Sequence, residues 1–298
     1  MSKEAEPSEF TRKLLGELDR NGYSLSGWRE FLADSWSRSL EDIAANPALT
    51  RSFLWVAVAC FLAGGLIVAM SWWYQSVAVA VWSIALWLPW YGMSMVFVLT
   101  HLGMADRGDG VVNERFSAPN QLTFARLSLA PLVMLPGLAV TASEDLAFVL
   151  IVFIIFLSAT DVLDGWLARR QGAITRLGRT LDYLADLAFL IFLAFGLLRA
   201  DMIPLTLFGL IVVRYPLSLV AALVMYFAKG PIALSPTVIG RVTTLLTSVL
   251  LLLLVVHLQL GIDWPSHDIV ASSIVAVQLL IGINIAYLIV RGVIWAKA

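Results

Sequence analysis

Hydrophobic and polar positions fall along this chain in long blocks rather than in short alternations. Eight apolar stretches lie near residues 52–73, 77–101, 120–140, 145–168, 178–199, 203–227, 238–258 and 269–291. Each is long enough for a helix that crosses a hydrocarbon core, which needs about 20 residues. The pattern predicts an all-α, polytopic integral membrane protein. Trp72, Trp73 and Trp264 fall at the ends of spans, where interfacial aromatics belong. Residues 1–50 differ in kind: Phe10, Leu14 and Leu18, then Trp28, Phe31, Leu32 and Leu40, recur at helical spacing in an otherwise polar stretch. They predict a short amphipathic segment that packs on the protein or rests its aromatic face on the interface. Residues 101–120 carry Gly103, Gly108, Gly110 and Pro119 and read as a loop, the seam between a leading two-helix part and the six later spans. Pro131, Pro136 and Pro216 lie inside spans and predict kinks. No internal repeat of the kind that marks an inverted-repeat transporter is visible.

Composition sharpens this picture. Hydrophobic residues make up 60% of the chain and charged residues 14%, which a water-soluble domain of this length could not expose without aggregating. Residues 1–50 hold six basic and nine acidic residues (6 − 9 = −3), which argues against a polybasic grip on anionic lipid. A formal net charge of −1 gives no sign of nucleic-acid binding. Cys60, the only cysteine, lies within the first span, so no intrachain disulfide and no cysteine zinc site can form. With alternating spans, Arg107, Arg115, Arg169, Arg170, Arg176, Arg179, Lys229 and Lys297 share one side, while the loops at 141–145, 200–203 and 261–268 hold no Lys or Arg. Basic short loops face the cytoplasm. Both termini are therefore expected there.

Ionisable side chains within spans are costly in hydrocarbon and are functional candidates. Asp161, Asp164, Gly165 and Ala168 stand at i, i+3, i+4 and i+7, one stripe at the end of a helix. Gly178, Asp182 and Asp186 form a matching stripe on the next span. The short connection makes the two helices antiparallel neighbours, so four carboxylates should converge across a cleft. They cannot all ionise in a poorly hydrated cleft without cations. Oxygen ligands with no Cys or His nearby favour a hard divalent ion, Mg²⁺ first, with Mn²⁺ or Ca²⁺ also suited. Two such ions per site could neutralise a pyrophosphate during in-line displacement. Gly165 and Ala168 leave room for a nucleotide against the backbone, and Arg169 can reach phosphate.

The pattern D-x-x-D-G-x-x-A-R, eight residues, then G-x-x-x-D-x-x-x-D, running from Asp161 to Asp186, resembles the signature of the CDP-alcohol phosphotransferase (CDP-alcohol phosphatidyltransferase) family at every position. Pro119-Asn120-Gln-Leu122-Thr123-Phe-Ala-Arg126 is similar to the P-N-x-L-T-x-x-R opening of the first core helix in bacterial members. The resemblance covers about residues 115–295. It implies a six-helix catalytic core over 111–298 and an added two-helix region over 51–110, behind the amphipathic segment over 1–50 that the spacing predicts and the basic loops place in the cytoplasm. It also implies that Asp161, Asp164, Asp182 and Asp186 hold two metal ions. Asn120, Thr123, Gly165, Ala168, Arg169 and Gly178 would bind the donor nucleotide, and Asp186 would also be the general base. CMP is a stabilised leaving group, so no strong general acid is needed. His101, His257 and His267 read as solvated or interfacial residues.

The resemblance points further to CDP-diacylglycerol as donor, with a CDP-choline or CDP-ethanolamine reaction onto diacylglycerol as the alternative. An ion-coupled transporter is the reading from a different class. Among relatives, the bacterial phosphatidylglycerophosphate and phosphatidylinositol-phosphate synthases are nearest in character. Gly240-Arg241-Val-Thr-Thr resembles the G-K-x-x-T element of the phosphatidylglycerophosphate synthases, with Arg in place of Lys, and Arg214 and Arg291 lie where the inositol-phosphate-using synthases also place basic residues. Arg214, Arg241 and Arg291 are accordingly expected to hold the phosphate of a small polyol acceptor, glycerol 3-phosphate first and inositol phosphate second. A homodimer in the bacterial cytoplasmic membrane, with its active site toward the cytoplasm, completes the expectation. Every recognised motif position lies beyond Gly110, which predicts that a chain begun there keeps the reaction.

Overall fold

The structure is a computed structural model that describes residues 16–106, 112–138, 144–172, 174–229, 238–260 and 267–297; for 144, 218–229, 267 and 291–297 the description is of the backbone alone. Trp264 and Arg107 lie outside the described residues, as do the side chains of Lys229, His267 and Lys297. Among the described residues the chain is helical apart from short links, in the order α1 (Leu25–Ala45), α2 (Pro47–Tyr74), α3 (Val77–Thr100), α4 (Ala118–Leu138), α5 (Glu144–Gln171), α6 (Arg176–Arg199), α7 (Leu205–Lys229), α8 (Val238–Leu260) and α9 (His267–Lys297). Seven of these helices are long and apolar enough to cross a membrane, and α7 adds the apolar stretch Leu205–Leu217. All eight expected spans coincide with helices, and the protein is a polytopic membrane protein. Large apolar side chains such as Trp55, Leu66, Trp82, Phe148 and Leu279 stand on the outer surface, where lipid would cover them.

Local sequence explains the starts and stops. Ser24, Ser76 and Thr175 each accept a backbone N–H from the third residue on, capping α1, α3 and α6. Pro47 opens α2, where its missing N–H costs nothing. After α5, Gly172 turns the chain with φ +58°, a conformation that favours glycine, and α6 begins four residues later. That tight reversal makes α5 and α6 neighbours.

The most deeply buried span is α4. It tightens to a 3-10 helix over Ala130–Met134. Pro131 has no N–H to offer the carbonyl four residues back, and in hydrocarbon a freed backbone group must find another partner. The Leu127 carbonyl finds it in the Ala130 N–H, one residue earlier, and also accepts from Trp90 Nε1 of α3 at 2.8 Å; Trp87 Nε1 donates to the Ser128 carbonyl at 3.1 Å. The Pro136 carbonyl takes a bond from Gln259 of α8 at 2.9 Å. Gly137 and Gly196 meet where α4 crosses α6, and a Cβ on either would run into the other helix's backbone.

Of the seam expected at 101–120, residues 107–111, with Gly108 and Gly110, lie outside the described residues, and the parts on either side hold regular structure. Leu102–Met104 forms a 3-10 turn, Asp106 pairs antiparallel with Val112, and α4 has begun by Ala118. The leading helices are also joined to α4 by packing. Phe53 of α2 lies edge-on to both Phe116 and Phe124, and Ser52 Oγ accepts the Phe116 N–H at 2.8 Å. Of the two N-terminal patterns, Trp28 to Leu40 forms α1; Phe10 and Leu14 lie outside the described residues. α1 docks on the end of α3, where Ser39 Oγ donates to the Thr100 carbonyl at 2.7 Å.

Candidate active site

Three helices bring the chemistry together at one end of the bundle. α5 contributes Asp161, α6 contributes Asp182 and Asp186, and one carboxylate oxygen of each lies within 4.8 Å of the others. The centre of this group is Arg126 of α4, only 1% exposed. Its Nη2 lies 2.7 Å from Asp182 Oδ1 and 2.9 Å from Asp186 Oδ1, and its Nη1 lies 2.5 Å from Asp161 Oδ1. The three carboxylates are each about half exposed, opening to the cleft while the arginine holds them from below. Arg126 Nε has no hydrogen-bond partner.

Asp164 stands one turn on from Asp161 and behaves differently. It is buried and accepts a hydrogen bond from Thr123 Oγ1 at 2.8 Å, outside the three-carboxylate cluster. The four expected ligands are thus three gathered around Arg126 and one held by Thr123. With all three gathered carboxylates ionised, one arginine leaves a local charge of −2 (+1 − 3). An all-oxygen donor set with that excess suits a hard divalent cation, so the residues present fit the metal that the sequence implies.

Beside the carboxylates lies a cavity of about 160 Å³. Its walls come from α4 through Asn120 and Thr123, from α5 through Asp164, Gly165, Ala168 and Arg169, and from the start of α6 through Thr175, Gly178 and Asp182. All six residues expected at the donor nucleotide line it. Small-molecule pockets start near 300 Å³, so this one would seat part of a nucleotide and leave the rest in the cleft. Gly178 has a packing reason as well: a Cβ there would collide with the Asn120 side chain and crowd Thr175. Asn120 Nδ2 donates to Thr175 Oγ1 at 3.1 Å, fixing the cavity wall where α4 and α6 meet.

The arginines expected at the acceptor are not gathered in the same way. Arg214 is 4% exposed and spends its donors on its neighbours: Nε on Asn284 Oδ1 at 3.0 Å, Nη2 on the Gly240 carbonyl and Thr244 Oγ1, both at 2.9 Å. It ties α7, α8 and α9 together, with its guanidinium 4.7 Å from the centre of the Tyr215 ring. Arg241 is exposed at the start of α8, one residue after the carbonyl that Arg214 holds. The side chain of Arg291 lies outside the described residues.

In the sequence Arg126 closes a motif and carries no assigned task. A signal is there all the same: Asn120, Thr123 and Arg126 recur every three residues, which keeps them on one broad helix face. Ile174, Thr175 and Arg179 also line the cavity without having been expected there. Thr175 carries only the ordinary mark of an N-cap before a helix.

The family model for CDP-alcohol phosphatidyltransferase matches residues 116–289. A CDP-diacylglycerol--glycerol-3-phosphate 3-phosphatidyltransferase of Aquifex aeolicus is 30% identical over 138 residues, covering 46% of this chain and 74% of that protein. A cardiolipin synthase (CMP-forming) / mitochondrial hydrolase fusion protein of Schizosaccharomyces pombe is 35% identical over 99 residues, 33% of this chain and 16% of that much longer protein. No solved structure matches. A match over more than half of the chain, spanning the helices that carry the aspartates and the cavity, places this membrane protein in the CDP-alcohol phosphatidyltransferase family, as an enzyme that transfers a phosphatidyl group from a CDP-alcohol.

Proposed function

We propose that this enzyme transfers the phosphatidyl group of CDP-diacylglycerol to glycerol 3-phosphate, releasing CMP, at a site that needs Mg²⁺. The observation that carries the reading is the meeting of Asp161, Asp182 and Asp186 around Arg126, next to a cavity lined by every residue assigned to the nucleotide. The name of the Aquifex aeolicus relative supports the choice of donor and acceptor. Asp161, Asp182 and Asp186, with Asp164 adjoining, would hold the metal, which when bound offsets the negative charge of the pyrophosphate.

The chain's own groups do the rest. Asn120, Thr123, Gly165, Ala168 and Gly178 seat the cytidine end in the cavity, and Arg169 meets phosphate at its mouth. Arg126 engages one oxygen of Asp186 and leaves the other to take a proton. Asp186 accepts the proton of the acceptor hydroxyl as that oxygen bonds to the lipid-side phosphorus. The bond from that phosphorus to the bridging oxygen breaks, and CMP departs with its electron pair as a phosphate anion. Arg241, exposed beside the Gly240 carbonyl, receives the acceptor's phosphate, while Arg214 and its partners on α8 and α9 hold the place of α8. Arg291 is assigned to the same acceptor. Residues 111–298 form the catalytic core behind the region at 51–110, the active end and both termini face the cytoplasm, and the protein is a homodimer.

Mass spectrometry of the lipids made by purified protein from CDP-diacylglycerol, Mg²⁺ and a panel of alcohols tests this. Phosphatidylglycerophosphate is the expected product, and Arg241→Ala should raise the KM for glycerol 3-phosphate about tenfold or more with donor binding little changed. Transfer to serine or an uncharged alcohol, with none to glycerol 3-phosphate or inositol phosphate, would overturn the acceptor assignment.

A further inference from the structure

Ten residues ahead of the family match, Asp106 is 1% exposed and wholly engaged with the helix that carries Asp182 and Asp186. Its Oδ1 accepts from Arg176 Nε at 2.7 Å and its Oδ2 from Arg176 Nη2 at 2.8 Å, the two-pronged geometry that only a guanidinium offers. Its carbonyl accepts the Arg176 backbone N–H at 3.3 Å. Arg176 is the first residue of α6, so that N–H is one of the four a helix leaves without an internal partner. A carboxylate beside a helix N-terminus is also favoured by the helix dipole. Thr175 Oγ1 takes the Gly178 N–H at 2.9 Å, so the start of α6 is capped both from within and from the leading segment.

Asp106 is itself held. Asn113 N–H donates to the Ala105 carbonyl at 3.0 Å, Leu102 and Ala105 are buried, and Asp42 of α1 lies against Gly103 so closely that a Cβ would collide with it. The other side of the clamp is the cavity: Thr175, Gly178 and Arg179 line it, and Asn120 reaches across to Thr175. Asp182 lies six residues further along α6, about 9 Å at 1.5 Å per residue, and Asp186 about 15 Å. A disturbance at Arg176 thus reaches the nucleotide wall first.

We propose that Asp106 is a positioning residue for donor binding: through its two-pronged bond to Arg176 it fixes the start of α6, and with it the wall against which the cytidine nucleotide sits. This rests on the cavity being the donor site proposed above, and the test separates the two. Calorimetry of CMP binding and steady-state kinetics with CDP-diacylglycerol and glycerol 3-phosphate are run on the full-length protein, Asp106→Ala and Arg176→Lys. The wild type must bind CMP and turn over CDP-diacylglycerol; if it does neither, the donor-site reading fails. Given that, both variants are expected to weaken CMP binding and raise the donor KM about tenfold, with kcat and the acceptor KM within about twofold of wild type. Arg176→Lys keeps the charge and loses the fork, so it decides alone if Asp106→Ala does not yield a monodisperse protein. Unchanged CMP affinity in a folded variant would overturn the proposal, as would a loss that falls on kcat with the donor KM unmoved.

Discussion

Arg126 touches three carboxylates from within the protein, an arrangement whose charge has consequences for both stability and metal binding. Removing one partner of a buried ion pair costs about 3–5 kcal/mol, and the half-exposed aspartates place this case at the lower end. Arg126→Met is expected to lower the melting temperature in excess chelator and to enlarge the stabilisation that Mg²⁺ gives, because the remaining carboxylates bind a cation more tightly without the competing guanidinium. A melting scan with and without Mg²⁺ reads both changes; a variant with a smaller Mg²⁺ shift than wild type would refute this role. Asp182→Asn should weaken metal binding and abolish transfer together. Asp186→Asn should lose turnover by more than it loses donor binding, and equal losses would reduce Asp186 to a ligand. Much of this site was legible in the sequence, because helical spacing puts Asp161 on one stripe and Asp182 and Asp186 on another, and the short link between α5 and α6 makes the two helices neighbours. The partner of each was not. That Thr123 takes Asp164 and Arg126 takes the other three depends on how α4 is rotated between α5 and α6, and no spacing within one helix fixes that.

The spans are the easiest part to read, since uninterrupted apolar runs in a membrane can satisfy their backbone only as helices. The prolines predict kinks, and at Pro131 the consequence is local and specific: a 3-10 stretch beside which two tryptophans from another helix donate to the Leu127 and Ser128 carbonyls. In the sequence Trp90 looks like any aromatic in an apolar run. Trp90→Phe keeps the ring and removes the N–H bonded to Leu127, so it should cost about 1 kcal/mol in denaturant unfolding in detergent. A cost near zero would mean that the Ala130 N–H alone satisfies the Leu127 carbonyl.

Across the whole molecule, the seam at 101–120 separates motif from non-motif residues, and the sequence accordingly predicts that a chain begun near Gly110 keeps the reaction. The contacts argue otherwise. Such a chain loses the tryptophan bonds to α4, the Phe53 packing on Phe116 and Phe124, and the Asp106 clamp on α6. We expect it to release CMP at less than about a tenth of the full-length rate, with the shortfall largest at low donor concentration; full-length kinetics from the truncated chain would show the leading helices to be dispensable. The central claim is a metal-dependent transfer that liberates CMP at the Asp161, Asp182 and Asp186 cluster. It is tested most directly by measuring CMP released by the purified full-length protein from CDP-diacylglycerol and glycerol 3-phosphate, with Mg²⁺ and with excess chelator. The account predicts one CMP for each phosphatidylglycerophosphate formed in Mg²⁺ and none in chelator; undiminished CMP release in chelator would contradict it.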